Sequence, residues 1–368
     1  MAMSEKSGVL VSIVMPCRDE EATIGECIKS ALSALKKNRI SGEIIVVDNS
    51  SVDSSGRIAR ALGARVVREG KVGYGAALMS GFYAARGKYI VMADSDGTYD
   101  FSEFPKLINK LEKGYSLVLG SRMKGRIMDG AMPFIRRRIG NPVLTFILNL
   151  FFGTKISDPH SGFRAFRRES LEKMALKTTG MELASEMIIN SSKKGLRISE
   201  VPINYYPRKT PSKLKPVSDG WRHLRFMLMY SPIYLFMIPG LILLSLGMLF
   251  MALSLSSKSF EIRSLLGSLI SLLGYQITAI GLYARTYAII SGFEPHDRVI
   301  DFIAKHFPLE KTIFLGSIIF LFSVALSILS FRKASINFSI FSLTFLVLGI
   351  QTIFSAFFLS VMLVEKKD

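Results

Sequence analysis

From about Tyr230 onward the sequence carries four long apolar stretches, roughly Ile233–Leu255, Leu265–Ile290, Ile313–Phe331 and Ile336–Val364. Each is long enough to cross a hydrocarbon core of about 30 Å as a helix. The competing interpretation is a set of buried helices in a large soluble core. Four such runs in succession exceed ordinary core helices. The 368-residue chain is 49% hydrophobic yet has a formal net charge of +18, a combination that a soluble protein rarely shows. The two properties segregate along the sequence: the apolar residues concentrate after Tyr230, and the polar part precedes them. Arg285, inside the second run, needs a polar partner or a place near the interface. Snorkelling is preferred here over a lipid-phosphate contact.

The segment Met1–Ser7 is polar, and Val9–Met15 is too short for a signal core and has no small-residue cleavage site. The expectation is therefore a cytoplasmic N-terminal domain, with four spans returning Glu365–Asp368 to the same side. Arg208, Lys209, Lys213, Lys215, Arg222 and Arg225, just before the first span, agree with the positive-inside bias. Arg332 and Lys333 run against it. Cys17 and Cys27 imply no disulfide framework and fit a reduced compartment.

Residues 10–130 alternate strand-like and helix-like segments. Val11–Met15, Ile44–Val47, Ala64–Val67, Tyr89–Ala93 and Leu117–Leu119 are short runs rich in Val and Ile. Glu20–Lys37 and Tyr74–Ala85 place apolar residues at helical spacing. Alternation of this kind predicts a mostly parallel, doubly wound α/β sheet. The expected organisation is a catalytic domain over 1–217, a juxtamembrane segment over 218–230 and an all-α transmembrane domain over 231–368. Within the first, Met132–Phe152 sets Arg136-Arg137-Arg138 ahead of the apolar run Pro142–Phe152, which is too short to span. It predicts an interfacial helix. Trp221, the only tryptophan, stands among Arg222, His223 and Arg225 and suits an interface anchor. A place in a soluble core is the alternative.

Asp94-Ser95-Asp96 follows directly on the apolar run Tyr89–Ala93. In extended backbone, residues two apart point to the same side, so both carboxylates can face one cation at the carboxyl end of a buried strand. Oxygen-only ligands suit Mg²⁺ or Mn²⁺, which complete their shell with water and substrate phosphate. Open α/β sheets bind nucleotides at that end. The plainer alternative makes Asp94 or Asp96 the cap of a helix from Phe101. Pro16-Cys17-Arg18-Asp19-Glu20-Glu21 closes the first strand, and Val47-Asp48-Asn49-Ser50-Ser51-Val52-Asp53 the second. Both put carboxylates where a nucleobase and ribose would lie, although capping explains Asp19 and Asp53 equally well. Gly73-Tyr74-Gly75-Ala76 is similar to a weak phosphate loop without the third glycine of the dinucleotide fingerprint, which argues against a nicotinamide enzyme.

Taken in order, these segments resemble a family 2 glycosyltransferase of the GT-A fold, with Gly120-Ser121-Arg122 as a further landmark. Asp158-Pro159-His160-Ser161-Gly162-Phe163-Arg164 resembles the acceptor-side segment of the polyprenyl-phosphate branch, the dolichyl-phosphate mannose and glucose synthases. Arg208-Lys209-Thr210-Pro211-Ser212-Lys213-Leu214 is similar to that branch's Arg-x-x-Gly-x-Ser-Lys-Leu, with Pro211 replacing glycine. The resemblance covers about residues 10–230. Thr98 stands where the mannose synthases often have Gln, and Asp19 where Asn is usual. Trp221 is not in a Gln-x-x-Arg-Trp motif, so single transfer is favoured over polymerisation.

The resemblance implies inverting transfer of one hexose from a nucleotide sugar to a polyprenyl or dolichyl phosphate. On that reading Pro16, Arg18, Asp19, Glu20, Asp48, Gly73, Gly75, Asp94, Ser95 and Asp96 bind the donor. Asp94 and Asp96 hold Mg²⁺ or Mn²⁺. Arg122, Arg136, Arg137, Ser161, Arg164, Arg208, Ser212 and Lys213 receive the acceptor phosphate. Asp96, Asp158 and Arg122 form the catalytic set, with Asp158 either orienting the acceptor or acting as base. A phosphomonoester with a second pKa of about 6 is largely dianionic at neutral pH, so the main demand is charge neutralisation and alignment. The segments around Gly180-Met181-Glu182 and Asp219-Gly220-Trp221 resemble glucosyl-type relatives, which implies glucose, with UDP as its carrier, before mannose. The lipid bilayer is the expected partner and self-association stays open. The cations cluster beside the membrane, where anionic headgroups account for them, so no nucleic-acid partner is expected. Two rival functions are a non-catalytic nucleotide-binding protein assisting lipid-linked sugar translocation, and a nucleotidyltransferase, which has no evident need for four spans.

Overall fold

The computed structural model describes residues 8–210, 216–255, 262–290, 308–333 and 336–364, in two compact units that divide between Met227 and Leu228. The first unit begins with β1 (Val11–Cys17), α1 (Ile24–Lys37), β2 (Gly42–Asp48), α2 (Ser55–Ala61), β3 (Arg65–Arg68), α3 (Tyr74–Ala84) and β4 (Tyr89–Met92). Then come α4 (Phe104–Glu112), β5 (Leu117–Ser121), α5 (Asn141–Phe152), β6 (Arg164–Arg167), α6 (Arg168–Met174), α7 (Leu183–Lys193), β7 (Ile198–Pro202) and α8 (Pro216–Met229). The strands form one sheet in the order β3-β2-β1-β4-β6-β5-β7.

The apolar runs of β1, β2 and β4 pair in parallel at the centre of this sheet, with Ile13 opposite both Ile44 and Val91. Helices cover the faces, so the strands read as continuous hydrophobic segments rather than alternating ones. Ile24, Ile28, Ala31 and Leu35 turn one stripe of α1 into the same core. The expected parallel α/β sheet is therefore present, with one strand reversed: β6 runs antiparallel between β4 and β5. Neither β6 (Arg-Ala-Phe-Arg) nor β7 (Ile-Ser-Glu-Val-Pro) is a β-branched apolar run. Their pairing is decided by neighbours, Phe166 packing edge-on against Phe82 at 4.9 Å.

The second unit contains α9 (Ile238–Ser254), α10 (Ile262–Ile290), α11 (Leu309–Lys333) and α12 (Ile336–Val364). Four segments, Ile233–Ser254, Ile262–Ile290, Leu309–Ser330 and Ile336–Met362, are long and apolar enough to cross a membrane. Glycines let α9 and α10 approach closely: a Cβ on Gly267 would stand 2.7 Å from the Gly247 carbonyl oxygen. Between α10 and α12 hydroxyls pair instead, with Tyr275 donating to Thr352 at 3.1 Å and Tyr283 to Ser355 at 2.7 Å. Arg285 lies in the last two turns of α10.

Candidate active site

The site is built on the loops at the carboxyl ends of β1, β2 and β4. Ser95 donates its hydroxyl to the Pro16 carbonyl (2.7 Å), and Thr23 donates to the Ser95 carbonyl (2.8 Å). The turn after β4 is thus stitched to the end of β1, which fixes the flanking carboxylates. Asp94 Oδ1 accepts from the Tyr74 hydroxyl at 2.8 Å. Its Oδ2 lies against Gly162, where a Cβ would come within 2.5 Å, so only glycine admits the carboxylate. Asp96 Oδ1 accepts from both the amide (3.1 Å) and the hydroxyl (2.6 Å) of Thr98. Thr98 therefore orients Asp96. Capping of the turn at Phe101 falls instead to Asp100, which accepts from the Ser102 amide at 2.8 Å. Burial, then the neighbouring charge of Asp96, raises the Asp94 carboxyl from 3.8 to about 6. Such a pair carries unmet negative charge of the kind a divalent cation relieves. Among the described residues no group of three or more His, Cys, Asp or Glu converges. Any cation here rests on two carboxylates plus substrate oxygens, which suits Mg²⁺ or Mn²⁺.

Arg208 comes into this cluster from the far end of the domain. Its Nη2 pairs with Glu20 Oε1, and its Nε lies 3.5 Å from Asp96 Oδ2. Thr210 adds a hydrogen bond to Glu20 Oε2 at 3.2 Å. The residue expected at the acceptor phosphate is thus joined to the donor-side carboxylates. Ser212 and Lys213 lie outside the described residues.

Several expected donor residues are committed to local structure. Asp19, at φ +50°, accepts from the Val52 amide (2.8 Å), and Asp48 from the Ser51 amide (3.0 Å). Asp53 accepts from the amides of Ser55 (2.9 Å) and Glu21 (3.0 Å), tying the start of α2 to the loop after β1, while Ser54 takes the N-cap position. Arg18 is exposed. The turn after β3 is tied to neighbouring segments. Gly73 donates its amide to Asn49 Oδ1 at 2.8 Å, and Ala76 donates to the Thr179 carbonyl at 3.1 Å. A Cβ on Gly75 would meet the Thr178 carbonyl at 2.7 Å. Close packing against residues 178–180 is what requires glycine there.

The acceptor-side set also differs from expectation. Arg122 and Asp158 form a bidentate pair, with Nε–Oδ2 and Nη2–Oδ1 both 2.7 Å, and the Arg122 amide adds a third bond at 2.9 Å. Their side chains are 1% and 0% exposed, and the guanidinium lies over the Tyr205 ring at 5.1 Å. Arg164 is also wholly buried, donating to the carbonyls of Pro159 (2.6 Å), Ser161 (2.8 Å) and Ala184 (2.6 Å). Burial lowers it to about 10, so it stays protonated at neutral pH. Ser161 is buried and accepts from the Phe163 amide at 3.3 Å. These residues build the turn 158–162 that carries Gly162 to Asp94. Arg122, Asp158, Ser161 and Arg164 are thus buried, and the bonds described above tie them to one another and to this turn.

Arg136 is half-buried, whereas Arg137 and Arg138 are exposed. Beyond them Ile135, Ile139, Val143, Phe146 and Leu150 form one outward stripe along α5 and the turn before it, each at least half exposed. Trp221 is 57% exposed, which excludes a core position. Sequence reasoning also passed over Tyr74, whose bond to Asp94 is described above, and two histidines. His160 and His223 meet edge to face with ring centroids 4.6 Å apart. Nothing in the spacing of residues 160 and 223 signals that contact.

Residues 12–175 match the family described as Glycosyl transferase family 2, and residues 282–363 match the Glycosyltransferase family 2 C-terminal transmembrane region. A low-salt glycan biosynthesis hexosyltransferase of Haloferax volcanii is 46% identical over 231 residues, 62% of this chain and 56% of that protein. This chain thus matches little more than half the length of that relative. A dolichyl-phosphate hexose transferase of the same organism is 32% identical over 211 residues, 57% of this chain and 89% of that protein. This chain belongs to glycosyltransferase family 2. Among solved structures, glucosyl-3-phosphoglycerate synthase from Mycobacterium tuberculosis, in complex with Mn²⁺, UDP-glucose and phosphoglyceric acid, is similar to it. The TM-score is 0.50 at 25% identity, over 60% of this chain and 79% of that one. The family membership and the four apolar helices make this a membrane protein with a GT-A-like domain.

Proposed function

We propose that this family 2 member transfers one hexose, glucose before mannose, from a UDP- or GDP-linked donor to a polyprenyl phosphate at the cytoplasmic membrane face, with inversion. The observation that carries the reading is the carboxylate pair Asp94/Asp96 at the end of β4, in a chain that also has four spanning-length helices. The dolichyl-phosphate hexose transferase relative supports the lipid acceptor, and the Mn²⁺ and UDP-glucose of the structural relative support the donor side.

In this reaction an acceptor phosphate oxygen attacks the anomeric carbon as the bond from that carbon to the nucleoside diphosphate breaks. Asp94 and Asp96 would hold Mg²⁺ or Mn²⁺, which supplies charge neutralisation for the departing diphosphate. Thr98 and Tyr74 keep the two carboxylates in register. Arg208, already beside Asp96 and Glu20, supplies a cation next to the carboxylate pair, where it would help neutralise phosphate charge. The Arg122–Asp158 pair holds the 158–162 turn in place. Arg136 and Arg137 draw the anionic headgroup toward the site from the apolar surface of α5.

The test is a screen of radiolabelled UDP-glucose, GDP-mannose and related donors with the reconstituted full chain, scoring label on extractable polyprenyl phosphate. Label should appear with one donor, vanish with chelator, return with Mg²⁺ or Mn²⁺, and be lost in Asp96→Ala. Lipid-linked label that survives both chelator and Asp96→Ala would remove the metal-assisted mechanism, and no label from any donor would remove the transfer itself.

A further inference from the structure

His160 presents an uncompensated polar group in an otherwise well-paired turn. Both of its ring nitrogens are buried and lack a hydrogen-bond partner among the described residues. An imidazole deprived of both bonds costs free energy comparable to any orphaned buried donor, and such groups are rare unless a ligand completes them. The ring is not free to drift. Pro159 and Ser161 on either side are clamped by Arg164, and the Ser161 amide donates to the Asp158 carbonyl at 3.4 Å. Behind it stands His223, whose Nδ1 is 2.9 Å from the Ser185 hydroxyl.

The surroundings identify the missing partner. Arg136 is among the cations whose charge bears on His160, together with Arg122 and Arg164. Arg122 and Arg164 are spent on Asp158 and on backbone carbonyls, which leaves Arg136 as the guanidinium suited to a new anion. Arg136 opens the turn leading into the apolar stripe of α5. An anion with a hydrocarbon tail along that stripe satisfies both features. His160 is itself partly exposed while its nitrogens are not, and a half-turn about the Cβ–Cγ bond exchanges ring nitrogens with ring carbons.

We infer that His160, backed by His223 and joined by Arg136, donates an imidazole N–H to a non-bridging oxygen of a phosphomonoester, the headgroup of the acceptor lipid. This rests on the lipid-phosphate reading above and adds to it the residue that takes the place Arg122 and Arg164 do not fill. The 158–162 turn then serves both substrates: Gly162 bears on the donor-side Asp94, and His160 bears on the acceptor.

The test is nitrogen NMR of the full chain, labelled at histidine and reconstituted in nanodiscs. With four histidines in the sequence, each imidazole is assigned by single substitution. A short isoprenyl phosphate should shift the His160 signals and inorganic phosphate should do so more weakly, while UDP leaves them in place. In kinetics, His160→Phe should raise the acceptor KM about tenfold to a hundredfold, as expected for losing a hydrogen bond to a charged group. Donor KM should be unchanged, and His160→Asn should recover part of the loss. A His160 signal that ignores isoprenyl phosphate, or that responds equally to UDP, overturns the inference, and the wild-type titration decides even if His160→Phe does not fold. A clear isoprenyl-phosphate shift without hexose transfer from any donor would keep this site and dismiss the transfer reading. Robust transfer with a silent His160 would do the reverse.

Discussion

Arg122 and Asp158 have almost no contact with solvent, so each charge depends on the other. Removing one partner leaves an uncompensated buried ion, which costs about 3–5 kcal/mol, whereas replacing both with apolar groups is often near neutral. Asp158→Ala should therefore lower the melting temperature of the catalytic domain far more than Arg122→Met combined with Asp158→Leu. Equal losses would mean the pair is not the buried ion pair described. The histidines set a pH dependence of opposite origin. Burial pushes His223 from 6.5 down to about 4 and holds His160 well below its usual value; Asp219 opposes the shift at His223, while Arg136 and Arg164 reinforce it at both rings. A base whose folded pKa is depressed binds protons more readily when unfolded, so stability is full above about pH 6.5 and falls on acidification toward pH 4. His223→Phe should flatten that slope, removing a penalty of about 3 kcal/mol at the acid end. An unchanged acid limb in melting curves would assign the acid sensitivity to other groups.

At the scale of elements, α5 is the segment whose surface chemistry fits a bilayer rather than water. Its twelve residues are too few to span, and exposed Ile139, Val143, Phe146 and Leu150 share one side. Helices of this kind lie in the headgroup region with the apolar face turned down. Phe146→Trp in a Trp221→Phe background supplies a single reporter, because Trp221 is the only native tryptophan. Its emission should be blue-shifted in vesicles and quenched by lipids brominated near the glycerol end of the chains. Emission typical of water, unmoved by those lipids, would make the stripe a contact for something other than membrane. The loop after β4 is the opposite case, because its polar groups are turned inward on β1 and held by Ser95 and Thr23. That inward stitching is what holds Asp94 and Asp96 in place at the end of β4.

For the whole molecule, four crossings by the spanning-length segments are expected to leave Val52 and Lys366 on the same side of the bilayer. Val52 is 94% exposed, and native Cys17 and Cys27 are buried, with thiols pushed up to about 11 and about 12. The native cysteines should thus be silent toward a thiolate-directed reagent at neutral pH. In sealed vesicles, Val52→Cys and Lys366→Cys should react with a membrane-impermeant maleimide from one and the same side. Labelling from opposite sides would remove one of the four spans.

Periodicity and composition alone determined the spanning-length helices and the parallel strands β1, β2 and β4, because each of these is a contiguous apolar run and bears that signal locally. The same is true of the carboxylate pair, whose spacing after a buried strand is itself the signal. Strands β6 and β7 were not legible. Arg164 and Arg167 in β6 and Glu200 in β7 find partners in distant segments, Arg164 at Ala184, Arg167 at Leu111 and Tyr115, and Glu200 at Ser157 and Lys124. Which arginine faces a substrate was equally hidden. A guanidinium has the same sequence signature whether it meets a phosphate, as expected of Arg122 and Arg164, or a buried carboxylate and backbone carbonyls, as found. Only the fold decides, because only the fold sets how many of its donors are already bound and how much water remains around them.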